Sequence, residues 1–219
     1  MSRTVPSKWV KTGALLKHAG VARTIPETRR FSAAALKAML AKYGSVVAKP
    51  CVGAGGIGVM MISRYSKGYA VHYYGRVLRA GSFPALLGVV NRLNRRRRAY
   101  LLQHGIRLAS IGGRPVDYRV KLVNENGRWL LKAVVARVAR PGYFVTNICR
   151  GGDLISSNDA IRRSLHVAPR RTKRRLINLS YTCKNILTQA FPGIGQLGFD
   201  YGIDARGKIW LFEVNTRPQ

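Results

Sequence analysis

The stretch that decides the fold is residues 200–215, DYGIDARGKIWLFEVN. Two apolar runs flank an Ala-Arg-Gly turn signal, so the stretch predicts a β-hairpin. Side chains alternate along a strand, so Glu213 and Asn215 share one face of the second strand. With a turn at residues 205–208, Asp200 lies opposite Glu213 on that same face.

This arrangement of acidic side chains predicts a metal site. Two carboxylates that face each other across strands repel unless positive charge lies between them. Carboxylate and amide oxygens are the ligands that Mg²⁺ and Mn²⁺ prefer. We therefore expect Asp200, Glu213 and Asn215 to hold Mg²⁺ or Mn²⁺.

The composition describes a folded and strongly basic chain. Its 219 residues are 47% hydrophobic and 21% charged, enough for one large domain or two small lobes with a real core. The chain carries 39 Lys and Arg against 8 Asp and Glu, a net charge of +31. That excess predicts attraction to polyanions such as nucleotides, nucleic acid or acidic peptides, although solvated surface charge and composition bias would explain it equally well.

Cysteine usage favours a reducing compartment. The three cysteines (Cys51, Cys149 and Cys183) are scattered and form no C-x-x-C pair, so neither a disulfide framework nor a zinc site is indicated. The chain starts with no apolar signal core, and no apolar run approaches the length of a membrane span. We expect a soluble, cytoplasmic protein.

The pattern of elements predicts an α+β fold with antiparallel sheets. Residues 32–43 form a helix signal, with Ser32 as N-cap and Gly44 as the stop. Runs at 118–124 and 129–137 alternate as paired strands around a turn at 125–127. The longest helical pattern covers 172–191. Strands and helices are mixed without strict alternation, which disfavours a parallel sheet.

A glycine-rich loop follows the strand predicted at 45–49. Residues 49–58, KPCVGAGGIG, contain a literal G-x-G-x-x-G. A dinucleotide-binding fold needs a helix directly after this motif, but a strand pattern (residues 59–62) follows. The pattern predicts a flap whose bare amides wrap phosphate oxygens, with Lys49 at its base, against the alternative of a glycine-rich turn without ligand. The glycines concerned are Gly53, Gly55, Gly56 and Gly58.

The order of these motifs resembles that of the ATP-grasp superfamily of carboxylate–amine ligases. The Lys-Pro-plus-glycine loop resembles the phosphate-covering loop of that family, and Asp200 with Glu213-Val214-Asn215 resembles its metal signature. The most similar branch is YheC/YheD, described as endospore coat-associated. Further matching strings are PET at 26–28, YGSVV at 43–47 and FDYGID at 199–204.

The resemblance implies two α+β lobes that clasp a nucleotide, and a division of roles between them. Lys49 and the glycine loop would hold ATP phosphates, and Gln103 would lie beside the adenine. Arg137, and with it Arg119 and Lys132, would stabilise charge on the transferring phosphate. The implied reaction is ATP- and Mg²⁺-dependent amide formation through an acylphosphate, in which an amine attacks and ADP is released.

The same resemblance implies a division of the chain into three parts. Residues 1–44 would be an N-terminal helical segment, a remnant or edge of the family's preceding domain. Residues 45–103 would form the lid lobe with the glycine loop, and residues 104–219 the core lobe with the metal site. A family lysine upstream of the lid matches either Lys8 or Lys11.

Two alternatives to a ligase stay open at this point. One is a non-catalytic ATP-binding or scaffold protein of the spore coat. The other is a nucleic-acid-binding protein, suggested by the basic runs at 94–98 and 169–175 but supported by no recognisable motif. If the ligase is active, the basic surface would suit an acidic peptide or coat protein as acceptor.

Overall fold

The computed structural model describes residues 2–94 and 98–218, which form six α-helices and twelve β-strands. The helices are α1 (Lys8–Leu16), α2 (Ala19–Ala22), α3 (Ala33–Tyr43), α4 (Phe83–Leu93), α5 (Ser157–Ser164) and α6 (Pro169–Ala190). The strands are β1 (Thr28–Arg30), β2 (Ser45–Pro50), β3 (Met60–Tyr65), β4 (Gly68–Tyr73), β5 (Arg76–Ala80), β6 (Tyr100–His104), β7 (Ser110–Ile111), β8 (Arg114–Glu125), β9 (Arg128–Val138), β10 (Asp153–Ser156), β11 (Gln196–Ile203) and β12 (Ile209–Asn215). The α+β class with antiparallel sheets is confirmed.

The first sheet is antiparallel and has the strand order β1-β6-β2-β3-β4-β5. Helices α3 and α4 cover one face, where Leu36 and Leu86 pack against Val46 and Ile62 in a continuous core. Because strand side chains alternate, Lys49 points away from these helices. The uncovered face of this sheet is therefore the one that carries polar groups.

The second sheet has the order β10-β9-β8-β11-β12, again antiparallel, with β7 pairing to β8. Its apolar face packs against the long helix α6. Tyr118, Phe199 and Tyr201 from the strands are buried together with Leu176 and Leu187 from the helix. The opposite face of the same strands carries charged side chains, among them Arg119, Arg137 and Asp200.

Local signals in the sequence account for several element boundaries. Ser32 Oγ accepts a hydrogen bond from the Ala35 backbone N–H at 3.0 Å, and Gly44 ends α3 in the left-handed conformation, as predicted. The β8–β9 hairpin turns at Asn126 and Gly127, which have φ of 51° and 82°. Positive φ at both central residues matches the twist of a two-residue hairpin, so the predicted turn is confirmed.

The N-terminal 44 residues divide their elements between the two sheets. Helix α1 packs against α6 and β12, while β1 extends the first sheet and α3 packs on it. The division into segments 1–44, 45–103 and 104–219 stays a prediction. Of the basic run at 94–98, residues 95–97 lie outside the described residues. No helix within residues 2–94 and 98–218 is both long and apolar enough to cross a membrane.

Candidate nucleotide and metal site

The terminal hairpin brings the predicted metal ligands together. Asp200 pairs with Glu213 and Gly198 pairs with Asn215 in the register of β11 and β12, so the expected opposition of the two carboxylates is confirmed. The Asn215 amide donates to Asp200 Oδ2 at 3.3 Å. Three oxygen-bearing side chains thus share the polar face of the second sheet.

A β-bulge produces this register. Near the turn the strands pair Ile203 with Ile209 and Tyr201 with Leu211; the register then shifts by one residue before Asp200. Phe212 is the extra residue of this bulge. The extra residue of a bulge has no partner on the opposite strand. Its carbonyl oxygen instead accepts a hydrogen bond from Lys49 Nζ at 2.8 Å. A turn at 205–208, as assumed from the sequence, predicts the correct pair of carboxylates. In the structure, however, it is the bulge at Phe212 that places Glu213 opposite Asp200.

Two arginines from neighbouring strands hold Asp200. Arg119 lies directly beside it in the β8–β11 register and donates from Nε and Nη2 at 2.8 and 2.9 Å. Arg137 on β9 donates to Asp200 at 3.0 Å and also pairs with Asp117, a buried acid. Burial alone would raise the pKa of the Asp200 carboxyl, but Arg137 and Arg119 outweigh it and hold that pKa below its ordinary value. Asp200 is therefore held in its ionised form, and its role as a metal ligand stays a prediction.

Lys49 and Gln103 face this cluster from the first sheet. Lys49 Nζ donates to Gln103 Oε1 at 2.8 Å in addition to the Phe212 carbonyl, so it connects the two sheets. Both side chains are buried. Burial lowers the pKa of Lys49 from 10.5 to about 8, and Glu213 opposes that shift. A lysine held this way is a cation poised beside two carboxylates.

The structure distinguishes between the two lysines that the sequence left open. Lys8 Nζ lies 2.9 Å from Glu213 Oε1 and donates to the Gly53 carbonyl at 2.6 Å. Lys11 instead donates to the Val5 carbonyl, and Glu213 acts on its charge only through space. Lys8 is therefore the one in the site. The packing of helix α1 against β12 is what brings Lys8 to Glu213, and the sequence alone does not show this packing.

The glycine loop at residues 53–58 folds over the site and onto the loop that follows β9. Arg150 Nε donates to the Gly55 carbonyl at 3.2 Å. Gly56 has φ of 69°, and a Cβ there would lie 2.6 Å from Asn147 Oδ1. A side chain at this position would meet both backbone strain and a steric clash, so glycine is required for the observed approach.

Lys132 lies apart from the other candidate residues. It is exposed near the far end of the β8–β9 hairpin, where its Nζ is 2.6 Å from Glu125 Oε1. It stands five residues before Arg137 on the same strand, about 16 Å away at ~3.3 Å per residue. The structure thus brings together Arg119, Arg137, Lys49, Gln103 and the three oxygen donors, but not Lys132.

The donor set fits a hard divalent cation. In residues 2–94 and 98–218, no three His, Cys, Asp or Glu side chains converge on one point, so the site offers two carboxylates and one amide. These are all oxygen donors, which suits Mg²⁺ completed by phosphate or water. Lys8 and the two arginines now supply the positive charge that the carboxylates require. Metal binding itself stays a prediction.

The family of the chain follows from a match over its full length. A family model described as YheC/D like ATP-grasp covers residues 1–219. The chain belongs to this family. The Bacillus subtilis (strain 168) endospore coat-associated protein YheD is 26% identical over 99% of this chain and 49% of its own length. YheC of the same organism is 24% identical over the whole chain and 61% of its own length. The chain thus spans about half of the curated relatives that it matches.

Solved structures establish the ATP-grasp fold. Carboxyaminoimidazole ribonucleotide synthase from Aspergillus clavatus, complexed with ATP, matches 99% of this chain and 46% of its own with a TM-score of 0.61 at 15% identity. D-alanyl-alanine synthetase A from Vibrio cholerae matches 97% of this chain and 55% of its own, with a TM-score of 0.57 at 12% identity. An L-amino acid ligase from Bacillus licheniformis has a TM-score of 0.53 at 12% identity, over 97% of this chain and 40% of its own. At such identities the likeness concerns the fold alone.

Proposed function

We propose that this YheC/D-like ATP-grasp protein is an ATP- and Mg²⁺-dependent carboxylate–amine ligase that releases ADP. One observation carries the proposal: the paired acids Asp200 and Glu213 both act electrostatically on Lys49, which bonds the Phe212 carbonyl next to Glu213. Oxygen ligands for a cation and a lysine for phosphates therefore meet in one place. The names of the solved relatives, two synthases or synthetases and one ligase, agree with this chemistry.

The chain's own residues would act by position and charge. Lys49 and Lys8 would hold phosphate oxygens beneath the amides of the glycine loop. Arg119, with a side chain 20% exposed, is better placed than the more buried Arg137 to reach a transferring phosphate. Arg137 would act by keeping Asp200 ionised and oriented. Gln103 bonds Lys49 and the Thr28 hydroxyl, so its support of adenine would be indirect.

The proposed reaction has two balanced steps. A substrate carboxylate attacks the γ-phosphorus of ATP, which yields an acylphosphate and ADP. An amine then attacks the acyl carbon, the amide bond forms, and phosphate leaves with the carbon–oxygen electrons and takes up the proton that the amine loses. Mg²⁺ bound by Asp200, Glu213 and Asn215 would neutralise charge on the phosphates. No protein nucleophile is needed, because phosphoryl transfer depends on positioning and electrostatics.

The relatives' names suggest a setting for this activity. Both curated relatives are described as endospore coat-associated, so we propose a cytoplasmic protein that acts in or on a forming spore. The substrates would be a carboxylate and an amine, of which one is an acidic peptide or protein attracted by the net charge of +31.

Nucleotide-dependent stabilisation tests the proposal. A ligand at a hundred times its dissociation constant stabilises the folded state by about 2.7 kcal/mol, or about 5–11 °C in a chain of this size. We expect Mg²⁺ plus a non-hydrolysable ATP analogue to shift the melting temperature of the wild type by that amount. Glu213→Gln should lose the shift, whereas Glu125→Gln, the same change in an exposed pair, should keep it. A wild type that does not respond to the analogue would refute the proposal.

A further inference from the structure

A cavity of about 640 Å³ lies between the tip of the β4–β5 hairpin and the loop after β9. Its walls hold three arginines, three tyrosines and no carboxylate. They are Arg76, Arg140, Arg150, Tyr73, Tyr74 and Tyr143, accompanied by Gly75, Cys149 and Gly151. The volume lies in the range of sites that take an organic ligand of several functional groups, and exceeds what one small anion needs.

The three arginines have no counter-ion within the described residues. All eight side-chain carboxylates of the chain are engaged elsewhere: seven pair with a Lys or Arg outside this cavity, and Asp204 accepts from Trp210 and from backbone N–H groups. Like charges that line one cavity repel each other. The arrangement therefore suits an anion from outside the chain.

The tyrosines hold two of the guanidinium groups by their faces. Arg150 Cζ lies 4.8 Å from the centroid of the Tyr74 ring, and Arg140 Cζ lies 5.5 Å from that of Tyr143. A guanidinium that lies over a ring keeps N–H groups at its edge for a planar acceptor; Arg150 uses its Nε on the Gly55 carbonyl and keeps its Nη groups. A carboxylate is such an acceptor, because it can take two parallel hydrogen bonds.

The hairpin tip is strained in a way that keeps an aromatic ring in the cavity wall. Tyr74 has φ of 56°, a backbone conformation that glycine adopts more readily than tyrosine. The positive φ thus falls on Tyr74 and not on its neighbour Gly75. Gly75 in turn approaches Tyr143 so closely that a Cβ would lie 3.1 Å from its ring. Strain of this kind is concentrated at functional sites.

The cavity adjoins the loop proposed to cover the phosphates. Arg150 lines the cavity and also donates to the Gly55 carbonyl. An anion bound here would therefore lie beside the same loop whose Gly53 carbonyl accepts from Lys8.

We infer that this cavity binds the acidic substrate, a peptide segment with at least two glutamate or aspartate carboxylates, held by Arg76, Arg140 and Arg150. The role of the peptide as a substrate rests on the proposed function. The binding of the peptide to this cavity does not require that the protein be a ligase. Carboxylates are favoured over phosphates because the three arginines line a cavity wide enough for several planar groups, together with tyrosines that suit peptide contact.

Peptide binding tests this inference separately from catalysis. A fluorescein-labelled tetraglutamate peptide would be titrated against the full chain at 150 mM salt, by fluorescence anisotropy. We expect the double variant Arg76→Ser with Arg140→Ser to bind at least tenfold more weakly. The control carries the same loss of charge on α6, Arg170→Ser with Arg171→Ser, two exposed residues on the helix that covers the opposite face of the second sheet. The control should change affinity less than threefold.

Three outcomes would overturn the inference: no binding by the wild type at millimolar peptide, equal losses in both double variants, or stronger displacement by tripolyphosphate or a ten-nucleotide single-stranded RNA than by unlabelled peptide. The nucleotide-dependent melting shift is measured on the same variants. If that shift persists while the peptide fails to bind, the acidic site is wrong and the ligase proposal stands. If the shift is absent while the peptide binds in the expected pattern, the ligase proposal fails and the binding site stands.

Discussion

Removing the buried carboxylate of Asp117 should destabilise the fold far more than removing an exposed carboxylate on the same strand. Asp117 and Arg137 are 7% and 5% exposed and are joined by two hydrogen bonds. Asp117→Asn keeps the shape but removes the charge. Breaking a buried pair costs about 3–5 kcal/mol when the remaining charge has no partner. Arg137 keeps its contact to Asp200, so we expect about 2–3 kcal/mol.

The comparison variant is Glu125→Gln, at the last residue of β8. Glu125 pairs with Lys132, but both side chains are 40% exposed or more, so solvent screens the interaction. Its loss should cost about 0.5 kcal/mol or less. For a chain of this length each kcal/mol moves the melting temperature by about 2–4 °C. Thermal unfolding followed by circular dichroism should therefore show a fall of about 4–12 °C for Asp117→Asn and about 2 °C or less for Glu125→Gln.

Two further measurements strengthen the test. High salt should reduce the small effect of Glu125→Gln but leave that of Asp117→Asn nearly unchanged, since buried pairs are poorly screened. Asp117→Asn combined with Asp200→Asn should cost more than the sum of the single changes, because both acids share Arg137. Equal melting shifts for Asp117→Asn and Glu125→Gln, or strict additivity in the double variant, would refute the view of Arg137 as a buried charge held by two acids.

Two other predictions concern the glycine loop and the buried lysine. Gly56→Ala should destabilise the chain by about 1–3 kcal/mol in urea unfolding, because φ is 69° and the new Cβ meets Asn147, whereas Gly13→Ala in an open helical position should be neutral or stabilising. Nucleotide binding at pH 8.5 should take up protons, because phosphates favour the charged form of Lys49 and raise its pKa from about 8; affinity then falls as pH rises above 8. Calorimetry in two buffers of different ionisation enthalpy measures the uptake, and Lys49→Met should abolish it; an unchanged uptake in that variant would assign the proton to another group.

The sequence was sufficient for the strands and helices that carry strong local signals. The capping pair Ser32 and Gly44 and the turn at Asn126 and Gly127 act over a few residues, so short-range chemistry determines them. The edge strand β5 was missed because two of its five residues are arginines and only Ala80, at its end, is buried. A strand paired on one side only needs little apolar pattern.

The contacts within the site were less accessible to sequence reasoning. Arg119 and Arg137 reach Asp200 across 81 and 63 residues, through a strand order that local patterns do not reveal. Lys132 is different, because its distance along the chain was visible in the sequence. Five residue steps along the strand separate it from Arg137, about 16 Å at ~3.3 Å per residue. Lys132 is also the extra residue of the bulge in the β8–β9 ladder, which the sequence pattern did not show.

The structure also changes the argument that first pointed to a metal. Opposed carboxylates require positive charge, but chain cations already supply it: Arg119 and Arg137 hold Asp200, and Lys8 holds Glu213. Repulsion between the two acids therefore does not by itself demand Mg²⁺. The contact that bears most directly on metal binding is that of Lys8, whose ammonium holds both Glu213 and the Gly53 carbonyl.

A cation that bound Glu213 would compete with Lys8 for that carboxylate, and released Lys8 would lie beside the loop proposed to cover the phosphates. On the proposed function, metal binding and lid position are therefore coupled through one side chain. The coupling arises because Lys8 and a metal ion cannot both bind the Glu213 carboxylate, and it needs no movement of either sheet.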